Sequence, residues 1–278
     1  MKKAVDQAAK EKKVYKTVNA MDCTFIIEVS KSGKPGKFEK DLAVVQGIFE
    51  KGIDNISIAD RYTLINIYNV AFHESGKIEG ISSLDSSATN CAFCKACRAA
   101  ANGDNDHICT HCYDMTQEAY RFAALNRHTL NMLIMQTVEF SIEELRMLPA
   151  SGIVRVNSSG DAPNKTYALN MLRYAIAHDS ANVAVWTKNH IVYIQAIKEI
   201  GYKPANVILI KSSRYINKPE KLPEFFDYVF TVYNNKTAVE EAIKNGAMAC
   251  NGKKCMECGF SCYFGKWPKG SNIAELLR

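Results

Sequence analysis

The stretch GIVRVNSSGDAPNKTYALNMLRYAIAHDSANVAVWTKNHIVYIQAIKEIGYKPANVILIKSS, residues 152–213, decides the fold. Short apolar runs (IVRV, NVAVW, NVILI) alternate with segments of helical spacing, KTYALNMLRYAIAHD at 165–179 and IVYIQAIKEIGY at 191–202. Gly201 supplies the second helical segment with its stop signal. Apolar strands without an exposed polar face, separated by helices, predict a parallel sheet covered on both sides. The rhythm continues outward. KIEGISSLD at 77–85 and DYVFTVYN at 227–234 read as further strands, and KTAVEEAIKNG at 236–246 as a helix. MTQEAYRFAALNRHTLNMLIMQTV at 115–138, free of Pro and Gly, reads as one long helix. Nearer the start, DCTFIIEV at 22–29 reads as a strand, and residues 1–20 as a polar, helix-prone or frayed lead. Five strands follow residue 77, with a sixth expected from the N-terminal segment. The expected fold is therefore α/β, a partial (β/α) barrel with mostly parallel strands, since a closed eight-fold barrel needs more strands. Residues 1–75 form an N-terminal α/β extension, 76–246 the barrel core, and 247–278 a cysteine-rich segment.

Length and composition agree with a folded enzyme-sized chain. It has 278 residues, 47% apolar and 23% charged, enough to close a sizeable core and too apolar for disorder. Nothing resembles a secretory signal after the basic start, and no apolar run approaches the length of a membrane span. The chain thus reads as cytoplasmic, where clustered thiols signal metal more often than disulfides. The net charge of +6 is concentrated at the two ends. Basic ends suit either plain solubility or contact with nucleic acid, but aromatics are not interleaved with the lysines as stacking platforms require.

Nine of the ten cysteines fall in two windows. The first, TNCAFCKACRAAANGDNDHICTHCYD, holds Cys91, Cys94, Cys97, Cys109 and Cys112 between a strand and a helix, where a β/α unit puts its catalytic loop. The second, MACNGKKCMECGFSCYFGKW, holds Cys250, Cys255, Cys258 and Cys262 at C-x4-C-x2-C-x3-C. Close thiolates from one loop reach a common centre, so all nine are candidate ligands of zinc or of an iron–sulfur cluster. Spacing does not choose between these metals. Cys23, alone on its apolar strand, reads as an ordinary buried residue. His107 and His111 read either as ligands or as solvated loop residues, the solvated reading being favoured because five thiols already crowd the window. A Cys/His hydrolase using His178 or His190 is disfavoured, because no single cysteine stands apart from the metal-like crowd.

ICTHCYD, RVNSSGD, VAVWTKN, NVILIKSS and CMECGFSCY occur in that order, and over about residues 77–265 the chain resembles the phage and clostridial gene 88 protein family, itself similar to radical S-adenosylmethionine enzymes. The resemblance implies a [4Fe–4S] cluster on three cysteines, Cys109 and Cys112 with Cys94 as the upstream third. The cluster's open iron would bind S-adenosylmethionine, and Tyr113 would lie beside the last cysteine. The compact C-x3-C-x2-C of those enzymes is absent, which leaves Cys91 and Cys97 surplus. Gly160 and Asp161, after Ser158 and Ser159, resemble the end of a Gly-Gly-Glu run that contacts the methionine ammonium. Lys188 and Ser212, at strand ends, are expected at the mouth, in contact with ribose or carboxylate or simply tying loops together. The tail resembles an auxiliary cluster. The function expected is a radical S-adenosylmethionine-like iron–sulfur enzyme of unknown substrate, fed by a reductase or ferredoxin-type donor. A zinc-stabilised nucleic-acid-binding protein and a non-catalytic electron carrier are the alternatives.

Overall fold

A computed structural model of the chain describes residues 13–30, 33–250 and 254–277. It opens with a hairpin, β1 (Tyr15–Ala20) and β2 (Cys23–Glu28), paired from Tyr15↔Glu28 to Ala20↔Cys23. Met21 and Asp22 both have positive φ, 52° and 58°, the two-residue geometry that matches strand twist. The expected helix-prone lead is therefore a strand from Tyr15 onward, and residues 1–12 lie outside the described residues. On β2, Cys23, Phe25 and Ile27 alternate into the core, which fixes the register. Among the described residues no third strand joins this hairpin. Instead the side-chain amides of Asn90 and Asn126 bond the backbone N–H and C=O of Thr24 and Ile26.

Two helices, α1 (Lys37–Phe49) and α2 (Ile58–Ile67), lead to the main sheet. Its strands are β3 (Ala71–Phe72), β4 (Ser82–Leu84), β5 (Ile153–Val156), β6 (Asn182–Thr187), β7 (Val207–Ser212), β8 (Tyr228–Tyr233), β9 (Met248–Ala249) and β10 (Asn272–Leu276). The order across the sheet is β3-β4-β5-β6-β7-β8-β10-β9, and only the β3–β4 pair is antiparallel. The sheet does not close into a barrel. The N-terminal segment does give this sheet a strand, the short antiparallel β3 at its edge, and a further parallel strand comes from the C-terminal segment, where SNIAEL returns beside β8. Parallel neighbours in chain order put the loops after β4, β5, β6 and β7 on one rim.

The intervening helices are α3 (Ala92–Ala101), α4 (Tyr113–Tyr120), α5 (Phe122–Thr137), α6 (Ile142–Leu145), α7 (Lys165–Ala177), α8 (His190–Ile200) and α9 (Lys236–Lys244). The long helix expected over 115–138 is two, broken at Arg121, whose φ of −113° and ψ of 71° are not helical. With neither Pro nor Gly at hand, tertiary contacts override a continuous helical pattern here. The break lets α5 pack on the hairpin while α4 carries Glu118 to the first cysteine loop.

Alternation along the strands makes two cores. Val154, Val156, Val183, Val185, Val207 and Leu209 face the helices. Ala184, Trp186, Ile210, Tyr228 and Ile273 face the other way, where Cys255 and Tyr263 of the tail cover them. Each large apolar side chain so buried contributes about 1.5–3 kcal/mol, so the tail is an integral layer. Cys250 N–H donates to Ala274 O and Cys255 N–H to Lys77 O, both at 2.8 Å, and Lys77 pairs with Glu275.

Candidate metal centre

The first cysteine loop leaves β4 at the rim, and two buried carboxylates fix its course. Asp85 accepts from Ser83 Oγ (2.5 Å), Ser158 Oγ (2.6 Å) and Ser159 N–H (3.0 Å). Glu118 accepts from Ser87 Oγ (3.1 Å), Ala88 N–H (3.3 Å), Thr89 N–H (2.8 Å) and His128 Nδ1 (3.2 Å). Such charge-assisted bonds out of reach of water hold a backbone firmly. Gly160, at φ 71°, comes so close to Ser86 that a Cβ there would lie 2.3 Å from its carbonyl oxygen.

From this base the sequence CAFCKACRAAAN forms α3, a helix in the middle of what spacing alone presents as a metal-binding loop. Cys91 caps it, its Sγ accepting from Cys94 N–H at 3.4 Å and lying 3.6 Å from Asp161 O. Helical spacing of three puts Cys91, Cys94 and Cys97 along one side. Asn102 (φ 45°) and Gly103 (φ 78°) then turn the chain back on itself. That reversal returns His107, Cys109 and Cys112 towards the helix. The donor atoms of Cys97, His107 and Cys109 lie within 4.8 Å of one another, the one such trio of Cys, His, Asp or Glu among the described residues. His107 Nδ1 accepts from Cys109 N–H (3.2 Å), and its ring stands edge-on to Tyr215 at 5.3 Å. Ile108 N–H to Arg214 O and Ile216 N–H to Asp106 O tie this turn to the loop after β7.

Electrostatics bind the remaining cysteines to the same place. The hydrogen bond from Cys109 lowers the Cys97 thiol to about 7, and the same contact, with burial, pushes Cys109 far above its ordinary range. Contact with Cys91 and burial raise Cys94, and burial raises Cys112. Lys188, half-buried just beyond β6, is near enough to Cys94, Cys97, Cys109 and Cys112 for its charge to favour their thiolates. Burial pulls its pKa down, but Asp161, Cys109, Cys112 and Cys94 together hold it above the ordinary lysine value. Its backbone N–H donates to Asp161 Oδ2 (2.7 Å), and Lys211 Nζ donates to its carbonyl (2.9 Å).

The other expected contact residues are placed as follows. The Asp161 carboxylate accepts from Lys188 N–H, Ala162 N–H and the Thr187 hydroxyl, so it ties the loop after β5 to the end of β6. Ser158 and Ser159 are taken up by Asp85. Tyr113 is 66% exposed, beside Cys112, and Ser212 is buried at the end of β7. Neither His178, bonded to Leu145 O, nor His190, bonded to Lys188 O, stands as a base beside a cysteine.

In the tail, Cys255 is buried, Cys250 and Cys262 half-buried and Cys258 exposed. Burial, with Cys255, Cys250 and Cys258 as charged-state neighbours, pushes Cys262 up to about 12. Cys258 Sγ donates to Cys255 O at 3.2 Å. All ten cysteines are free thiols.

The sequence sets the ligand reading of His107 second and gives no sign of two further contributors. His107 is 6% exposed and inside the cluster, against the expectation of a solvated residue. Only the Asn102–Gly103 reversal carried a signal for it. Glu118 and Asp85 had none, because their partners are loop amides and hydroxyls far away in sequence.

A soft set of sulfur donors with one imidazole, and a cation to offset thiolate charge, fits a thiolate-bound metal centre. No described helix is long and apolar enough to cross a membrane. No curated protein sequence and no solved structure matches the chain. The sequence model of the family described as Gene product 88 matches residues 65–272, which take in the whole rim, both cysteine windows and most of the sheet. The chain belongs to the Gene product 88 family.

Proposed function

We propose that the chain is a radical S-adenosylmethionine-like iron–sulfur enzyme, its main sheet a partial (β/α) barrel. The observation that carries this reading is the gathering of Cys94, Cys97, Cys109 and Cys112 around Lys188, at the carboxyl ends of parallel strands. Cys97 and Cys109, the two thiols of the donor trio, hold the first centre, with Cys94 or Cys112 as the third thiolate. A cluster held there would, when bound and reduced by an external one-electron donor, supply the electron that splits S-adenosylmethionine into methionine and a 5′-deoxyadenosyl radical. The chain's own residues do the rest. Lys188 offsets thiolate charge, Asp85 and Glu118 hold the loop to β5 and α4, and Gly160 lets the loops after β4 and β5 meet. The tail closes the opposite face as a second, fully ligated centre.

His107 favours a second reading. Imidazole beside two thiols is a zinc donor set, and zinc there would staple the loop without redox chemistry. Anaerobic reduction with dithionite in the presence of S-adenosylmethionine separates the two. The enzyme releases 5′-deoxyadenosine, and Cys109→Ser abolishes release. An iron-loaded protein that releases none, with a spectrum indifferent to S-adenosylmethionine, is an electron carrier. Stoichiometric zinc without iron establishes the staple.

A further inference from the structure

A groove of about 790 Å³, half-open to solvent, runs between the β1–β2 hairpin, the start of α1 and the junction of α4 with α5. It includes no residue of either cysteine window. Four aromatic side chains line it, Tyr15, Phe38, Tyr120 and Phe122. Tyr15 stands edge-on to Phe122 at 4.9 Å and is 42% exposed, and Tyr120, the last residue of α4, is 81% exposed. Arg127 holds its guanidinium 5.9 Å from the centre of the Phe38 ring. Cations outnumber acids on the same walls, Lys13, Lys37, Arg121 and Arg127 against Glu28 and Glu39. Both acids are already matched, Glu28 by Lys13 (3.0 Å) and Glu39 by Lys16 (2.7 Å). Arg121 and Lys37 are exposed and form no ion pair among the described residues.

Wetted aromatic faces beside unpaired cations suit a ligand that is flat, apolar and strung with negative charge. Bases stack on aromatic rings whatever their sequence, and phosphates pair with Arg and Lys. Along the chain these groups are split between residues 13–39 and 120–127, so no one segment interleaves rings with cations, and the fold does. A second copy of the chain would bring the same excess of cations to the groove, and a duplex keeps its base faces stacked inside. From the groove, α4 leads to the first cysteine loop. Tyr113 and Tyr120 are two turns apart on one face of α4, roughly 10 Å, both are exposed, and Tyr113 directly follows Cys112. We propose that this groove binds single-stranded nucleic acid, with bases stacked on Tyr15 and Tyr120 and phosphates on Lys37 and Arg121, the strand leaving along α4 towards Tyr113. The binding does not depend on which metal the first loop holds.

The test is the fluorescence anisotropy of labelled oligothymidylate and oligouridylate, about 12 nucleotides long, titrated with the full chain at several salt concentrations. Binding of either strand that weakens with salt, and exceeds binding of a duplex of the same length, supports the proposal. Tyr120→Ala weakens it about 5- to 100-fold, the effect of one lost stacking contact, while Tyr120→Phe keeps the ring and the affinity. Arg121→Gln lowers the slope of log affinity against log salt by about 0.7, one phosphate's share on a single strand. Tyr202→Ala, at an exposed tyrosine outside the groove, changes nothing. Metal content and melting temperature stay at wild type in the Tyr120 variants, which separates lost binding from a lost metal centre or a lost fold. Neither strand binding near physiological salt overturns the proposal, as does equal affinity in Tyr120→Ala and Tyr202→Ala. A duplex or a polyglutamate peptide bound as tightly as the single strand also overturns it, because the groove then reads charge alone.

Discussion

Replacing Gly160 with alanine perturbs the base of the first cysteine loop at one atom. Gly160 has φ 71°, and a Cβ there meets Ser86 O and Oγ at 2.3 Å. Ser86 cannot yield freely. Its N–H donates to Ser159 O (3.2 Å) and its hydroxyl to Asp161 O (2.7 Å). The left-handed backbone costs an alanine about 1–2 kcal/mol, and loss of the two hydrogen bonds costs about 1 kcal/mol each. The sum is about 3–4 kcal/mol, a fall in melting temperature of roughly 6–16 °C for a chain of this size. Gly103→Ala is the internal control. Gly103 has φ 78° with nothing within 4 Å of a new Cβ, so it bears only the backbone cost. Melts followed by circular dichroism measure both. Metal content measures the consequence, because Cys91 Sγ lies 3.6 Å from Asp161 O and moves with that junction. Gly160→Ala no more costly than Gly103→Ala, or with undiminished metal content, refutes the reasoning.

Other outcomes follow from the same geometry. Burial alone would lower the pKa of His128, but Glu118 and the nearby Asp85 and Asp114 outweigh it and raise it. A raised histidine gives its full stabilisation below its unfolded pKa, about 6.5, and loses it as pH rises through the folded value. The melting-temperature gap between wild type and His128→Asn therefore narrows from about pH 6 to about pH 9, and a gap that widens contradicts the pairing. Lys188→Met removes the cation facing Cys94, Cys109 and Cys112, and lowers first-loop metal affinity about 10- to 100-fold in chelator competition. Cys97→Ser, His107→Ala and Cys109→Ser each release metal from the first loop, whereas Cys23→Ser leaves metal content unchanged and costs only packing on β2. Metal content that falls equally in all four marks a general folding defect.

The parallel strands β5 to β8 were legible because each is a short, largely apolar run bounded by turn residues and packed between two layers. The C-terminal strand β10 was not. SNIAEL carries a glutamate and follows a loop of turns, and only the open edge of β8 makes it a strand. The break at Arg121 was equally hidden, since it answers to Glu118 reaching Thr89 rather than to any local breaker. In the first window the cysteines were read as loop ligands, yet Cys91, Cys94 and Cys97 repeat every three residues among alanines, which is also a helix. Spacing along a chain gives the donors, while the fold decides which of them meet. His107 joins Cys97 only because the backbone reverses at Asn102 and Gly103.

Iron and acid-labile sulfide, determined on anaerobically purified wild-type protein and on Cys97→Ser/Cys109→Ser, test the central claim most directly. The account predicts a brown protein containing both, with iron and sulfide diminished in the double variant while the tail's share remains. Colourless protein holding zinc alone, or an identical iron content in the two proteins, contradicts it.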